Sequence, residues 1–157
     1  MSAPGGHAER IAYHPAMPKA TDATTTTRLP ERIRTFLATP RYATISTVNA
    51  DGSPHQAIVW YALDGEDLLI NSRVERRWPA NLRRDPRLSI AVYEVERPFH
   101  WVGLKGRAEV EHEGDDATPD IEALARRYGK DPDVYHGQNR LTFRVRPEKT
   151  YEYGADD

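Results

Sequence analysis

Asn71-Ser72-Arg73-Val74-Glu75-Arg76-Arg77-Trp78-Pro79-Ala80-Asn81-Leu82-Arg83-Arg84-Asp85-Pro86 follows directly on the short apolar run Leu68 to Ile70. The run has the character of a strand interior and ends in two small polar residues, Asn71 and Ser72. Pro79 lacks an amide hydrogen, so an unbroken helix after that strand begins no earlier than about Glu75. Its free amides then lie beside Arg76 and Arg77. An anion there meets the positive end of a helix dipole and up to two forked donors, each charge-assisted bond contributing roughly 1.5 to 3 kcal/mol. Asn71 and Ser72 add neutral hydrogen bonds from the strand end, and Trp78 and Leu82, four apart, share the face that anchors the helix. The rival reading is a solvated surface helix whose arginines pair with Glu75 and Asp85.

On both sides of this stretch the chain reads as strands. Tyr42 to Val48 and His55 to Leu63 are β-branched, aromatic or small, and the link Asn49-Ala50-Asp51-Gly52-Ser53-Pro54 is a hairpin signature. A third strand runs from about Asp67 to Asn71, a fourth from Arg87 to Val95, a fifth from Phe99 to Glu111 and a sixth from Leu141 to Pro147. Gly103 and Gly106 interrupt the fifth and permit bulges or close backbone approach. Pro30 suits the first turn of a short helix carrying Ile33, Phe36 and Leu37, with Pro40 making Thr39 its natural end. A second helix has Thr118 as N-cap, Pro119 at the first helical position, Ile121, Leu124 and Tyr128 on one face, and Gly129 as its stop. Residues 1–27, with Gly5, Gly6, three prolines and the polar run Thr21 to Thr27, read as a mobile arm. The remainder, 28–157, is expected to be one mainly β (α+β) domain, a small six-stranded barrel whose closure disposes of exposed edges.

Composition narrows the function classes. A chain of 157 residues suffices for one domain with a real core. The net charge of -2 hides 18 Arg against 4 Lys, balanced by 24 Asp and Glu, which rules out a generally basic surface. With no cysteine there is no disulfide, thiolate catalysis or cysteine-ligated zinc. The absence of a long apolar run and of an apolar signal core leads to the expectation of a soluble, cytoplasmic protein with no membrane partner. The six histidines show no ligand spacing such as HExxH, so no metal site is expected. GxSxG, GxGxxG and GxxxxGK[ST] are all absent. Six arginines between Arg73 and Arg87 raise a nucleic-acid role, which the acidic balance elsewhere and the lack of a recognition motif disfavour.

Two further strands carry candidate contacts. In Pro54 to Tyr61, alternation puts Gln56, Ile58 and Trp60 on one face, suited to a flat heterocycle, although ordinary strand packing explains the same pattern. In Phe99 to Val110, Lys105 and Arg107 share a face, where they meet an acidic ligand or simply Glu109 and Glu111.

The ordered set of ADGSPH leading to VWY, INS followed by RRWPANLRRDPRLSIAVY, WVGLKGRAEV and TFRVRPEKTYEYG resembles the pyridoxamine 5'-phosphate oxidase-like split β-barrel superfamily. More narrowly, it is similar to the flavin/deazaflavin oxidoreductases that use coenzyme F420. The resemblance covers about residues 29 to 153, and RRWPANLRRDPRL is its most specific part. It implies a six-stranded split β-barrel and a homodimer with two cofactor sites at the subunit interface. The cofactor phosphate would sit among Asn71, Ser72, Arg76 and Arg77, with Trp78 and Asn81 framing the pocket. The ring would lie against Gln56, Ile58 and Trp60, with Trp101 contributed by the other subunit. It also implies no dedicated catalytic residue, because the cofactor carries the hydride. The reaction implied is hydride transfer from reduced F420 to a small unsaturated acceptor, the alternatives being an FMN-dependent oxidoreductase or a non-catalytic flavin- or haem-binding protein. Glu75 and Ala80 depart from the glycine and the basic residue common at those positions.

Overall fold

The computed structural model describes residues 24–25 and 28–154. In chain order the elements are β1 (Thr24–Thr25), α1 (Glu31–Ala38), β2 (Ala43–Val48), β3 (Pro54–Val59), β4 (Tyr61–Asp64), β5 (Asp67–Arg73), α2 (Arg77–Arg84), β6 (Arg87–Tyr93), β7 (Trp101–Glu113), α3 (Thr118–Arg127) and β8 (Arg140–Tyr153), with short 3-10 turns at Gly114–Ala117 and Pro132–Tyr135. The arm expected over residues 1–27 lies outside the described residues apart from Thr24–Thr25, which pairs with β8.

All strand pairings are antiparallel, in the order β3-β2-β6-β7-β8-β5-β4, with β1 added to β8. The two ends of that order, β3 and β4, are separated in sequence only by Trp60. The sheet's two edges are therefore one continuous piece of chain, and the sheet wraps into a barrel.

Among the described residues this corrects the expected count of six strands to eight. The strand read from His55 to Leu63 breaks at Trp60, and Thr24–Thr25 adds one more. The break is stable because Tyr128, just beyond α3, supplies the missing hydrogen bonds. Its hydroxyl accepts from the Tyr61 amide at 3.2 Å and donates to the Arg41 carbonyl at 2.6 Å. Arg127 Nε donates to the Tyr61 carbonyl at 3.2 Å.

The core is the inner row of each strand, including Ile45, Tyr61, Leu68, Ile70, Ile90, Val102, Leu104, Phe143 and Val145. Trp78 and Leu82, on the face expected of them, insert α2 into this core, where Trp78 meets Phe143 at 5.7 Å between ring centroids. The β2–β3 turn closes as its residues dictate, with the Asn49 amide donating to the Ser53 carbonyl at 2.8 Å and Gly52 at a φ of 84°. The close approaches expected of the glycines are both present. Tyr151 lies across Gly103, the Arg146 carbonyl sits against Gly106, and the β7–β8 register shifts between Lys105 and Gly106. Thr118 is the first residue of α3 rather than its cap, because the 3-10 turn before it feeds directly into the helix and leaves Ala117 at the cap position. No helix among the described residues is long and apolar enough to cross a membrane.

Candidate functional site

The alternation of β5 points Leu68, Ile70 and Ser72 into the barrel, so Asn71 and Arg73 face outward. The neighbouring strand pairs Arg140 with Arg73 and Thr142 with Asn71. Over this outer side lies α3, and beside it the turn Pro132–Tyr135. Between them opens a cleft of about 230 Å³. One wall is aromatic and aliphatic: Tyr42, Ile58, Val59, Trp60, Ile121, Leu124 and Tyr135. The other wall is Asn71, Arg73, Arg76, Gln138 and Arg140. Trp60 stacks on Tyr128 with centroids 5.0 Å apart and planes 9° apart, and Tyr135 meets it edge-on at 6.1 Å. The break at Trp60 thus holds a rigid aromatic wall beside the arginines.

Neutral groups orient the guanidiniums. Arg140 Nε donates to Asn71 Oδ1 at 2.6 Å, its Nη1 donates to Gln138 Oε1, and Arg73 Nε donates to the same oxygen at 3.2 Å. The Gln138 amide nitrogen is committed to the Val134 carbonyl at 3.0 Å, which keeps its oxygen turned to the arginines. The carboxylate that comes nearest these arginines is Glu75, an exposed group 3.8 Å from Arg73 Nη1. Arg140, only 7% exposed, has its pKa pushed down to about 10, first by burial and then by the positive charges of Arg76 and Arg73. Amide oxygens set the directions of these side chains but do not cancel their charge. An anion entering the cleft would do so.

Of the residues expected to bind a cofactor, Ile58, Trp60, Asn71 and Arg76 line this cleft. Gln56 is exposed two residues before Ile58 on the same face of β3 and reaches Ser46 Oγ at 3.4 Å. Ser72 and Trp78 turn into the core, where Ser72 Oγ and Trp78 Nε1 have no hydrogen-bond partner. Asn81 is buried as a clamp between α2 and β2, donating to Thr47 Oγ1 and Asn49 Oδ1, each at 3.0 Å. Arg77 is exposed and lies outside the cleft, where it adds to the Ser53 hydrogen bonds that hold Asp51 below the usual carboxylate range. Trp101 starts β7 and packs edge-on against Tyr151 at 5.5 Å, away from the cleft of its own chain. Tyr42, Arg73, Tyr135, Gln138 and Arg140 were not singled out as ligands from sequence.

The outer face of the sheet carries a second, more open groove of about 540 Å³ lined by residues that include Ser46, Ser89, Lys105 and Lys149. These four form one cross-strand row, which places the two lysines directly opposite each other. The groove is larger than the cleft, but it has neither an aromatic wall nor fixed amide acceptors.

Barrel topology, with an arginine-lined cleft at the end of β5, defines a mainly β (α+β) barrel protein. Residues 29–154 match the family described as pyridoxamine 5'-phosphate oxidase, and the chain belongs to that family. Among solved structures it is similar to one named an F420 reductase, with 26% identity, a TM-score of 0.67, and coverage of 78% of this chain and 98% of that one. A conserved hypothetical protein from Mycobacterium tuberculosis matches at 25% identity and a TM-score of 0.69, over 85% of this chain and 89% of that one. The haem storage protein HutZ from Vibrio cholerae has the same fold, at 21% identity and a TM-score of 0.65, over 81% and 96%. Comparison with curated proteins gives no significant match.

Proposed function

We propose that this chain is an oxidoreductase that binds reduced coenzyme F420 and delivers a hydride to a small unsaturated acceptor. The observation that carries the reading is the convergence of Arg73, Arg76 and Arg140 on a cleft with an aromatic wall, with Arg73 and Arg140 oriented by amide oxygens that do not cancel their charge. The cofactor phosphate sits among these three groups. Arg77 and the buried Ser72 Oγ lie outside that set. At about 230 Å³ the cleft is smaller than the roughly 300 to 1,000 Å³ of ordinary ligand pockets. It takes the phosphate and its linker, while the ring extends over Ile58, which is 62% exposed, and Gln56. A second copy of the chain closes the ring's outer side, with Trp101 of the partner subunit against it.

The deazaflavin supplies hydride transfer and reacts poorly with oxygen, whereas FMN also passes single electrons. FMN suits the same arginine set and is the second reading. Support for the deazaflavin comes from the F420 reductase likeness at 26% identity. The chain's own part is to bind, orient and shield. Guanidiniums fix the phosphate, the Trp60–Tyr128 stack stiffens the wall, and the outer face of β3 supports the ring.

The test is equilibrium titration of the purified protein with F420, FMN and haem in turn, followed by oxidation of reduced F420 against a panel of conjugated acceptors. Binding of F420 and its oxidation by at least one acceptor support the proposal. Tight FMN binding with no F420 affinity overturns it, and F420 binding without turnover on any acceptor makes the chain a carrier.

A further inference from the structure

We propose that Asp120 and Thr142 are positioning residues which, acting through Asn71, fix the direction in which Arg140 presents its guanidinium to an anion in the cleft. The inference rests on the reading that the cleft takes a phosphate. Its basis is a one-way chain of hydrogen bonds running across three strands. Asn71 on β5, Thr142 on β8 and His112 on β7 form one cross-strand row. A register shift between Val110 and His112 brings the histidine into that row, and Asp120 reaches down onto it from α3.

The direction of each bond follows from the one before it. Asp120 as a carboxylate only accepts. Its Oδ2 takes the Thr142 hydroxyl proton at 2.5 Å and lies 2.8 Å from His112 Nδ1. With its single proton committed, the Thr142 oxygen accepts from Asn71 Nδ2 at 2.9 Å. The other Asn71 amide proton goes to the Ala117 carbonyl at 3.2 Å. Both protons are then used, and Asn71 Oδ1 has to face Arg140 Nε, at 2.6 Å. A guanidinium has five N–H donors. Arg140 gives one to Asn71 and one to Gln138, which leaves the rest for a ligand. Thr142 is fully buried, and neither it nor Asp120 lines the cleft. They touch no ligand, yet they determine which atom of Asn71 the innermost arginine meets.

The test separates recognition of the phosphate from recognition of the ring. Affinities are measured for F420 against its phosphate-free deazaflavin core, for FMN against riboflavin, and for inorganic phosphate alone. Thr142→Val removes the hydroxyl at nearly constant shape, and Thr142→Ser keeps it. The loss of one oriented hydrogen bond should cut the preference for the phosphate-bearing form about fivefold in Thr142→Val. Affinity for the phosphate-free core should not change, and Thr142→Ser should restore the preference. Asp120→Ala, at a side chain closer to solvent, is a second route to the same loss, and Asp120→Asn, which keeps an acceptor oxygen, should retain the preference. An unchanged preference in a folded Thr142→Val or Asp120→Ala protein overturns the positioning role alone. If the parent protein shows no preference for the phosphate-bearing form and no phosphate binding, the cleft reading fails and this inference fails with it.

Discussion

Replacing Arg140 by methionine puts two opposing effects against each other. With its pKa pushed down to about 10, well below the ordinary arginine value, the buried charge costs the folded protein on the order of 3 kcal/mol, at roughly 1.4 kcal/mol per pKa unit. Because the folded value is the lower one, the cost is present in full below about pH 10 and is relieved only as pH rises beyond it towards the ordinary arginine range. Arg140→Met removes that cost. It also strips the buried Asn71 oxygen of its donor, at about 1 to 3 kcal/mol. The two nearly cancel, so the cofactor-free protein should stay within about 2 kcal/mol of the parent, a Tm change of no more than about 8 °C. Cofactor binding has no such compensation. Loss of a charge-assisted bond of about 1.5 to 3 kcal/mol should weaken it roughly 10- to 150-fold. The assay is a cofactor titration followed by fluorescence, paired with thermal melts with and without ligand. Arg77→Met, altered outside the cleft, should change affinity by less than about twofold, below the worth of one such bond. Arg140→Met binding like the parent while Arg77→Met binds weakly would refute the reasoning.

Other consequences follow from the same geometry. Tyr128→Phe leaves the Tyr61 amide and the Arg41 carbonyl without their shared hydroxyl, and thermal or urea melts should show a loss of about 1 to 3 kcal/mol. Gly106→Ala drives a methyl into the Arg146 carbonyl and should cost about 1 to 3 kcal/mol; Gly103→Ala meets the Tyr151 ring first, so adding Tyr151→Ala should recover much of its loss. The hydrogen bond to Asp120 raises the His112 pKa above its ordinary 6.5. Its contribution is therefore complete below that value and is lost as pH rises through the folded one, so melts between pH 5.5 and 8 should show a decline that His112→Gln flattens.

How much was legible depended on sequence distance. The stretch from Asn71 to Pro86 carries local signals: a strand ending in small polar residues, Pro79 in a first turn, and Trp78 and Leu82 one turn apart. Its strand, helix and buried face all followed from these, and the helix starts at Arg77, within the bound of no earlier than about Glu75. The β2–β3 turn and the α3 stop at Gly129, with a φ of 66°, were legible for the same reason. The break at Trp60 was not, because it depends on a hydroxyl supplied by Tyr128, far along the chain. The same holds for the cleft's arginines. Alternation alone puts Asn71 and Arg73 on one face, but only the β5–β8 register sets Arg140 opposite Arg73. Glu75, one of the two departures from the family pattern, is exposed and leans towards Arg73.

The most direct measurement is a crystal structure of the protein soaked with F420. The expected result is the phosphate within hydrogen-bonding distance of Arg140 and Arg76, with the ring over Ile58 and Gln56. A phosphate found beside Arg77, or in the outer groove between Lys105 and Lys149, would contradict it.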